Sequence, residues 1–271
     1  MIDAHQHFWR PARGDYGWME ADAVAPIRRD VGPEELVPLA AACGVRRTVL
    51  VQAAPTVAES EWLLELAAGT DLVAGVVGWV DLESPDVDAQ LDALSRRPKL
   101  VGVRPMIQDI PDPEWMHRDD VRRGLAAVIE RDLAFDALGF PVHLDPFARL
   151  FDALPELRAV VDHGMKPGIA AREIDAWADG IRRIADATPV RCKLSGLLTE
   201  AAPGDAIEAL RPYVEHLVEC FGPDRLMWGS DWPVLELASD YRGWFETARA
   251  LVPEPMHAAV FEGAAAAFYR L

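Results

Sequence analysis

Short β-type runs alternate with capped amphipathic stretches from one end of this chain to the other, and no other feature narrows its possible folds as far. The strand candidates are Ile2–Phe8, Thr48–Gln52, Val73–Val80, Leu100–Arg104, Leu133–Leu138, Ala159–His163, Val190–Leu194 and Leu226–Ser230. Spread over 271 residues, they leave about 34 per unit, the size of one strand–helix repeat. Pro33 opens a helix over Glu34–Cys43, and Gly44 follows as a left-handed cap. Glu59–Ala68 stops at Gly69. Ser84-Pro85 starts a helix reaching Arg96, Asp119 caps one reaching Arg131, and Asp145-Pro146 starts one reaching Leu154. Further helices read as Glu173–Ala187, Asp205–Phe221 (closed by Gly222), Ser239–Leu251 and Glu254–Tyr269. Strict alternation requires parallel strands joined by crossover helices. Eight repeats without a break in composition predict one closed (β/α)8 TIM barrel over residues 1–271, a single domain, rather than an open doubly wound sheet. No glycine-rich dinucleotide fingerprint follows the first strand. The irregular stretch from Trp9 to Gly32 comes directly after that strand, where a barrel keeps its catalytic loops, and is expected to wall the pocket.

Charge and cysteine content remove several classes of function. The net charge is -17, from 27 Lys+Arg against 44 Asp+Glu, and no basic tract is dense enough for counterion release, so nucleic acid is not an expected partner. The same acidity disfavours anionic lipid, and no run approaches the roughly 20 apolar residues of a membrane span. One well-placed Arg can still dominate a pocket locally, so an anionic ligand stays open. Cys43, Cys192 and Cys220 stand far apart with no CxxC, which argues against a disulfide framework or a Cys-type zinc site and fits a reducing compartment. The amino terminus, M-I-D-A-H-Q-H, carries neither a basic segment nor an apolar signal core, so a cytoplasmic location is expected. Oligomeric state is not legible.

His5-Gln6-His7 is the sharpest chemical signal. Residues i and i+2 of a strand point the same way, so both imidazoles share one face and can hold a metal or polarise a carbonyl at the mouth of a barrel. Taken alone, the pair is equally compatible with incidental polar residues near a terminus. His163 and Asp231 also end apolar runs abruptly, and a charged group there needs a partner or a task. Singly each could be a cap. Together with His5 and His7 they bring imidazole and carboxylate to one rim from three strand ends. Arg104 would add a fixed cation, suited to a carboxylate or polarised carbonyl, or else form a structural ion pair. Gln52, Trp79 and Asp136 lie near other strand ends, where they can contact a ligand or simply pack. Among nine Trp, Trp9, Trp18, Trp79, Trp228 and Trp232 fall where flat rings can cover a sugar-like molecule. His143 follows the fifth strand but looks more like part of a loop entering a helix, and His117, His216 and His257 read as structural. Neither a G-x-S-x-G elbow nor a P-loop is present.

These motifs resemble the amidohydrolase superfamily, and within it the branch of sugar-lactone lactonases that includes the L-fuconolactonase, L-rhamnonolactonase and 2-pyrone-4,6-dicarboxylate lactonase types. The likeness runs through I-D-A-H-Q-H-F-W (2–9), V-Q-A-A-P-T-V-A-E-S-E-W-L-L (51–64), V-G-V-R-P-M-I-Q-D (101–109), D-H-G-M-K-P (162–167), C-K-L-S-G-L (192–197) and R-L-M-W-G-S-D-W-P (225–233). The resemblance implies hydrolysis of a cyclic ester to the free sugar acid. Asp231 would be the general base and His163 a catalytic partner, with His5, His7, His163 and Asp231 as candidate metal ligands. It also implies that Arg104 and Lys166 bind substrate oxygens; Gln52, Trp79, Asp136 and Trp232 stay candidate contacts by their positions near strand ends. The bridging lysine or carboxylate of two-metal relatives is absent, since Arg104 cannot be carbamylated, and no clear strand-five histidine is present. One divalent ion, zinc or similar, or none is therefore expected, pyrone-dicarboxylate lactonases being metal-independent. Two alternatives remain at this level: a metal-dependent decarboxylase of the same superfamily, and a non-catalytic sugar-binding barrel.

Overall fold

Eight strands pair in parallel in chain order: β1 (Ile2–Gln6), β2 (Arg47–Val51), β3 (Val73–Gly78), β4 (Leu100–Val103), β5 (Ala134–Ala137), β6 (Ala159–Val161), β7 (Arg191–Leu194) and β8 (Leu226–Trp228). A computed structural model of the chain describes residues 1–205 and 207–271. The last strand returns to the first just beyond β8, where Asp231 N–H donates to His5 O at 2.7 Å and His7 N–H to Trp232 O at 2.7 Å. Gln6 and Trp232 form a parallel bridge there, and the sheet closes into a (β/α)8 barrel. The crossovers are α1 (Pro33–Ala42), α2 (Val57–Ala68), α3 (Val87–Ser95), α4 (Asp119–Glu130), α5 (Leu144–Ala153), α6 (Asp175–Ala187) and α7 (Arg211–Arg225). After β8 come α8 (Tyr241–Leu251) and α9 (Ala264–Tyr269). Caps anchor several of them: Thr56 Oγ1 accepts Glu59 N–H at 3.1 Å to start α2, and Asp240 Oδ1 accepts Gly243 N–H at 2.8 Å to start α8. No described helix is long and apolar enough to cross a membrane.

Strands covered on both faces read as apolar runs, and here the inner set carries the lower core. Ile2, Ala4, Val49, Val51, Val77, Ala134, Val160 and Met227 pack with Phe268 and Tyr269 of α9. Arg158 and Arg191, at the entries to β6 and β7, lie 5.5 and 5.1 Å from the Phe268 ring. Helix α9 therefore plugs the N-terminal end of the barrel, and the C-terminal mouth is left for chemistry.

Element boundaries depart from the sequence expectation where local geometry competes with pattern. β1, β6 and β8 stop at Gln6, Val161 and Trp228, two residues short, so the ionisable residues expected inside strands lie just past the ladder. Helix α3 begins at Val87, not Ser84, and α7 at Arg211, not Asp205. Of the expected helix over 205–221, Ala206 lies outside the described residues, and Gly222 ends it with φ 61. The helix expected over Glu254–Tyr269 is helical throughout, opening as a 3-10 turn and passing through a π-helical turn (Ala259–Gly263) before α9.

Candidate active site

Backbone irregularities aim the polar side chains. The β1–β2 register shifts between Asp3 and Gln6, so the simple alternation of β1 is broken as at a bulge. Asp3 turns toward α8, accepting from Tyr241 Oη at 3.0 Å and Ser230 N–H at 2.8 Å, while His5 turns to the barrel interior. His163 and Asp231 both sit in the left-handed region, with φ 54 and 59. Non-glycine residues adopt it at a cost, and surrounding structure must hold them there. Two glycines leave the room this needs. A Cβ on Gly196 would fall 2.6 Å from His163 Nδ1, and one on Gly229 2.7 Å from His5 Cβ.

Three imidazoles converge on one carboxylate oxygen. Asp231 Oδ1 lies 3.2 Å from His7 Nε2, 3.7 Å from His5 Nε2 and 3.9 Å from His163 Nε2. His5 Nε2 is also 3.2 Å from His7 Nε2. His7 Nδ1 donates to Val51 O at 2.8 Å, so a neutral His7 presents a lone pair at Nε2 to Asp231 Oδ1 and His5 Nε2. Burial pushes the His163 imidazole down to about 4, leaving it neutral at physiological pH. Burial by itself would raise the Asp231 carboxyl, yet a proton carried by the His163, His7 or His5 ring facing it holds it below its usual range. Lone pairs facing one another at such distances call for a proton or cation among them. Ligand atoms on a tetrahedral zinc with bonds of about 2.0–2.1 Å lie about 3.3 Å apart, close to these separations. The donor set thus fits a single divalent ion. His5, His163 and Asp231 offer ligand atoms all within 4.8 Å of one another, and His7 joins through His5 and Asp231 rather than as a fourth member of that cluster. Ser195 Oγ, 2.8 Å from His163 Nδ1, fixes the ring from behind.

Beneath the histidines lies a second layer of charge, buried except where Arg104 reaches the pocket. Lys193 Nζ contacts Asp136 Oδ2 at 2.5 Å, Asp162 Oδ1 at 3.1 Å and His5 Nδ1 at 3.1 Å. Arg104 donates to Asp162 Oδ2 at 3.3 Å and to Gln52 Oε1 at 2.9 Å. Tyr269 Oη donates to Asp136 at 2.8 Å. Burial pushes the Asp136 carboxyl up to about 6. For Asp162, burial is outweighed by Lys193, His5 and Arg104, which hold it well below the carboxylate range. Two cations and two carboxylates here balance.

Above the cluster opens a pocket of about 260 Å³. Its floor is His7, His163 and Asp231; Arg104, Gln108, Lys166, Thr199 and Glu200 line one part, and Trp9, Trp18, Val24, Met106, Leu138 and Val234 another. The 9–32 stretch does form part of the wall. Arg104 and Lys166 reach the pocket, with Lys166 Nζ donating to Gln108 Oε1 at 2.6 Å. Four other candidates do not line it. Asp136 sits mid-strand in β5, one layer too deep, its carboxylate taken by Lys193 and Tyr269. Gln52 is buried behind Arg104 and held by it. Trp79 lines a neighbouring cavity of about 250 Å³ with Pro55, Met106 and Trp115. Trp232 follows the left-handed Asp231 and so turns away from the mouth, fully buried, with Nε1 donating to Glu236 at 2.8 Å. His143 accepts from Phe140 N–H at 3.0 Å and caps a turn. A larger groove of about 640 Å³, between Glu114 and α5, contains none of the site residues.

Sequence reasoning missed Lys193, Asp162, Ser195, Gln108 and Glu200. The signal for the first was present: a lysine inside the buried run V-R-C-K-L (190–194) has to be neutralised by something.

Comparison with known proteins agrees with this geometry. The chain is 44% identical over 278 residues to an L-fucono-1,5-lactonase from Burkholderia ambifaria, covering 100% of this chain and 95% of that one. It is 39% identical to an L-fucono-1,5-lactonase from Burkholderia multivorans, over 89% of this chain and 84% of that one. Among solved structures, a zinc-bound amidohydrolase from Burkholderia multivorans superposes with a TM-score of 0.92 at 34% identity, covering 100% of this chain and 99% of that one. Residues 2–271 match the family described as Amidohydrolase. Fold, mouth and full-length match agree: the chain belongs to the amidohydrolase family.

Proposed function

We propose that this chain is a lactonase that opens a sugar-acid lactone, of the L-fucono-1,5-lactone type, to the free acid. The observation that carries this reading is the Asp231 carboxylate, ionised and ringed by three imidazoles at the floor of a pocket sized for one sugar ring. At about 260 Å³ it falls just below the usual range of drug-sized ligand sites. Arg104, Lys166 and Gln108 offer donors to hydroxyl and carbonyl oxygens. Trp18, Val24 and Leu138 offer apolar surface to the less polar side of a deoxy sugar. The identity to L-fucono-1,5-lactonases supports the substrate class.

In the reaction, Asp231 accepts a proton from a water molecule, whose oxygen attacks the lactone carbonyl carbon. Arg104, at the pocket wall, faces the oxygen on which negative charge develops. Collapse of the tetrahedral intermediate breaks the bond to the ring oxygen, Asp231 returns its proton to that oxygen, and the product leaves as a hydroxy acid that ionises to its carboxylate. His163, held by Ser195, and His7, held by Val51 O, keep the carboxylate in place. His5, His163 and Asp231 would hold one divalent ion, zinc being the ion in the related structure, and such an ion supplies Lewis acidity to the carbonyl and to water. Three free, buried cysteines are in keeping with a reducing compartment such as the cytoplasm.

The test is a panel of aldonolactones assayed by acid release with a pH indicator, with and without chelator. L-Fucono-1,5-lactone should be among the best substrates; acid release at the spontaneous rate across the panel would overturn the proposal.

A further inference from the structure

Among the described residues Lys193 is the one fully buried lysine, and no step of the proposed chemistry uses it. Its ammonium reaches His5 Nδ1 at 3.1 Å, on the side of the ring away from Asp231. It is gripped from the opposite end of the barrel: Asp136 Oδ2 lies 2.5 Å away, and Asp136 is in turn held by the Tyr269 hydroxyl at 2.8 Å. The Tyr269 ring lies under the ammonium, with its centroid 5.5 Å from Nζ. Asp162 completes the clamp. Its Oδ1 stands 3.1 Å from Lys193 Nζ and 3.5 Å from His5 Nδ1, and among described residues it has no hydrogen-bond partner of good geometry. An ammonium can only donate, so His5 Nδ1 accepts from Lys193 and the proton of a neutral His5 ring lies on Nε2, toward Asp231 and His7. The clamp thus settles both the tilt of the His5 ring and which of its nitrogens faces the mouth.

Resting on the lactonase reading for its kinetic arm alone, we propose that Lys193 is a positioning residue: anchored through Asp136 to the Tyr269 hydroxyl of α9, it and Asp162 orient the His5 ring at the active site. The plug at the N-terminal end of the barrel is thereby connected to the chemistry at the other end by four side chains in contact. No bond is made or broken in this role. The effect must be on kcat rather than on KM, because none of Lys193, Asp136 or Tyr269 lines the pocket.

Lys193→Met alone would strand the buried Asp136 carboxylate, leave Asp162 with Arg104 as its one cation, and risks failing to fold. The informative variants are therefore Lys193→Met combined with Asp136→Asn, which removes the charges as a pair, and Tyr269→Phe, which removes one hydroxyl and keeps the ring. Each is measured for kcat and KM on L-fucono-1,5-lactone, and for the ring 15N resonances of His5 in histidine-labelled protein, identified by their loss in His5→Gln. Expected are a fall in kcat of at least tenfold for the double variant and three- to tenfold for Tyr269→Phe, with KM within twofold and displaced His5 resonances in both. Phe268→Leu, a packing change on the same helix, should keep wild-type kcat and unmoved His5 resonances. Folded variants with wild-type kcat and unmoved His5 resonances would overturn the proposal, as would a raised KM at constant kcat. If the double variant does not fold, Tyr269→Phe decides alone. Should the wild-type protein open no lactone, the lactonase reading fails while the His5 resonances still decide the role of Lys193.

Discussion

The barrel interior contains two polar layers a few ångströms apart, and they are built on opposite rules. In the lower layer Asp136, Lys193, Asp162 and Arg104 match charge for charge, and Tyr269 and Gln52 take most of the bonds left over. In the upper layer the ring nitrogens of His5, His7 and His163 gather round the single oxygen Asp231 Oδ1 at 3.2–3.9 Å, and among the described residues no Lys or Arg pairs with that carboxylate. A buried polar group whose bonds are filled contributes to one fixed structure. One whose bonds are left over is disposed toward a ligand. Depth within the barrel separates the two roles more cleanly than residue type, since each layer contains aspartate.

That contrast breaks if the layers respond alike to substitution. The largest effect is expected at Asp231: Asp231→Asn should lower kcat about 10³-fold, in the range of a lost general base, with the melting temperature unchanged or raised. A large loss of melting temperature would show the upper layer to be structural. The next largest is in the lower layer, where Asp162→Asn leaves Lys193 and Arg104 short of a counter-charge and should cost about 3–5 kcal/mol, read by denaturant unfolding. An unchanged midpoint would remove the distinction. Zinc sharpens it from the other side. At 100 times its Kd it should add about 2.7 kcal/mol of stability, and His163→Ala should abolish that gain. Ser195→Ala, which frees the back of His163, should lower kcat three- to tenfold, the worth of one hydrogen bond of about 1 kcal/mol.

A last test falls on a group that belongs to neither layer. Glu59 is buried and accepts from Ala53 N–H at 3.1 Å and Ala54 N–H at 2.8 Å, so its bonds are filled although among the described residues it makes no ion pair. Burial pushes its carboxyl up to about 8. A carboxyl with a raised folded value contributes most below its unfolded value, near 4.5, and loses that contribution as pH climbs toward 8. Glu59→Gln should therefore flatten the decline in melting temperature between pH 5 and about 8, in scans of both proteins across that window. Parallel profiles would mean that the acid is ionised in the folded state.

The upper layer was legible in the sequence because its members mark strand ends: an apolar run that stops at His163 or Asp231 announces itself locally. The lower layer was legible only in part, through Arg104, Gln52 and Asp136. Asp136 has the same local signature as Asp231, yet it lies mid-strand and meets a lysine 57 positions away. Trp79 and Trp232 have the residue type of a sugar platform, but loop direction and the left-handed Asp231 turn them elsewhere.

Periodicity, caps and turns act over a few residues, so the chain by itself determined eight strand–helix units, their order and the polar residues that end them. Tertiary structure alone decided which acids face the mouth and which pair with cations inside the barrel. That choice depends on depth and on partners such as Lys193 and His5, 188 residues apart, which no local pattern encodes.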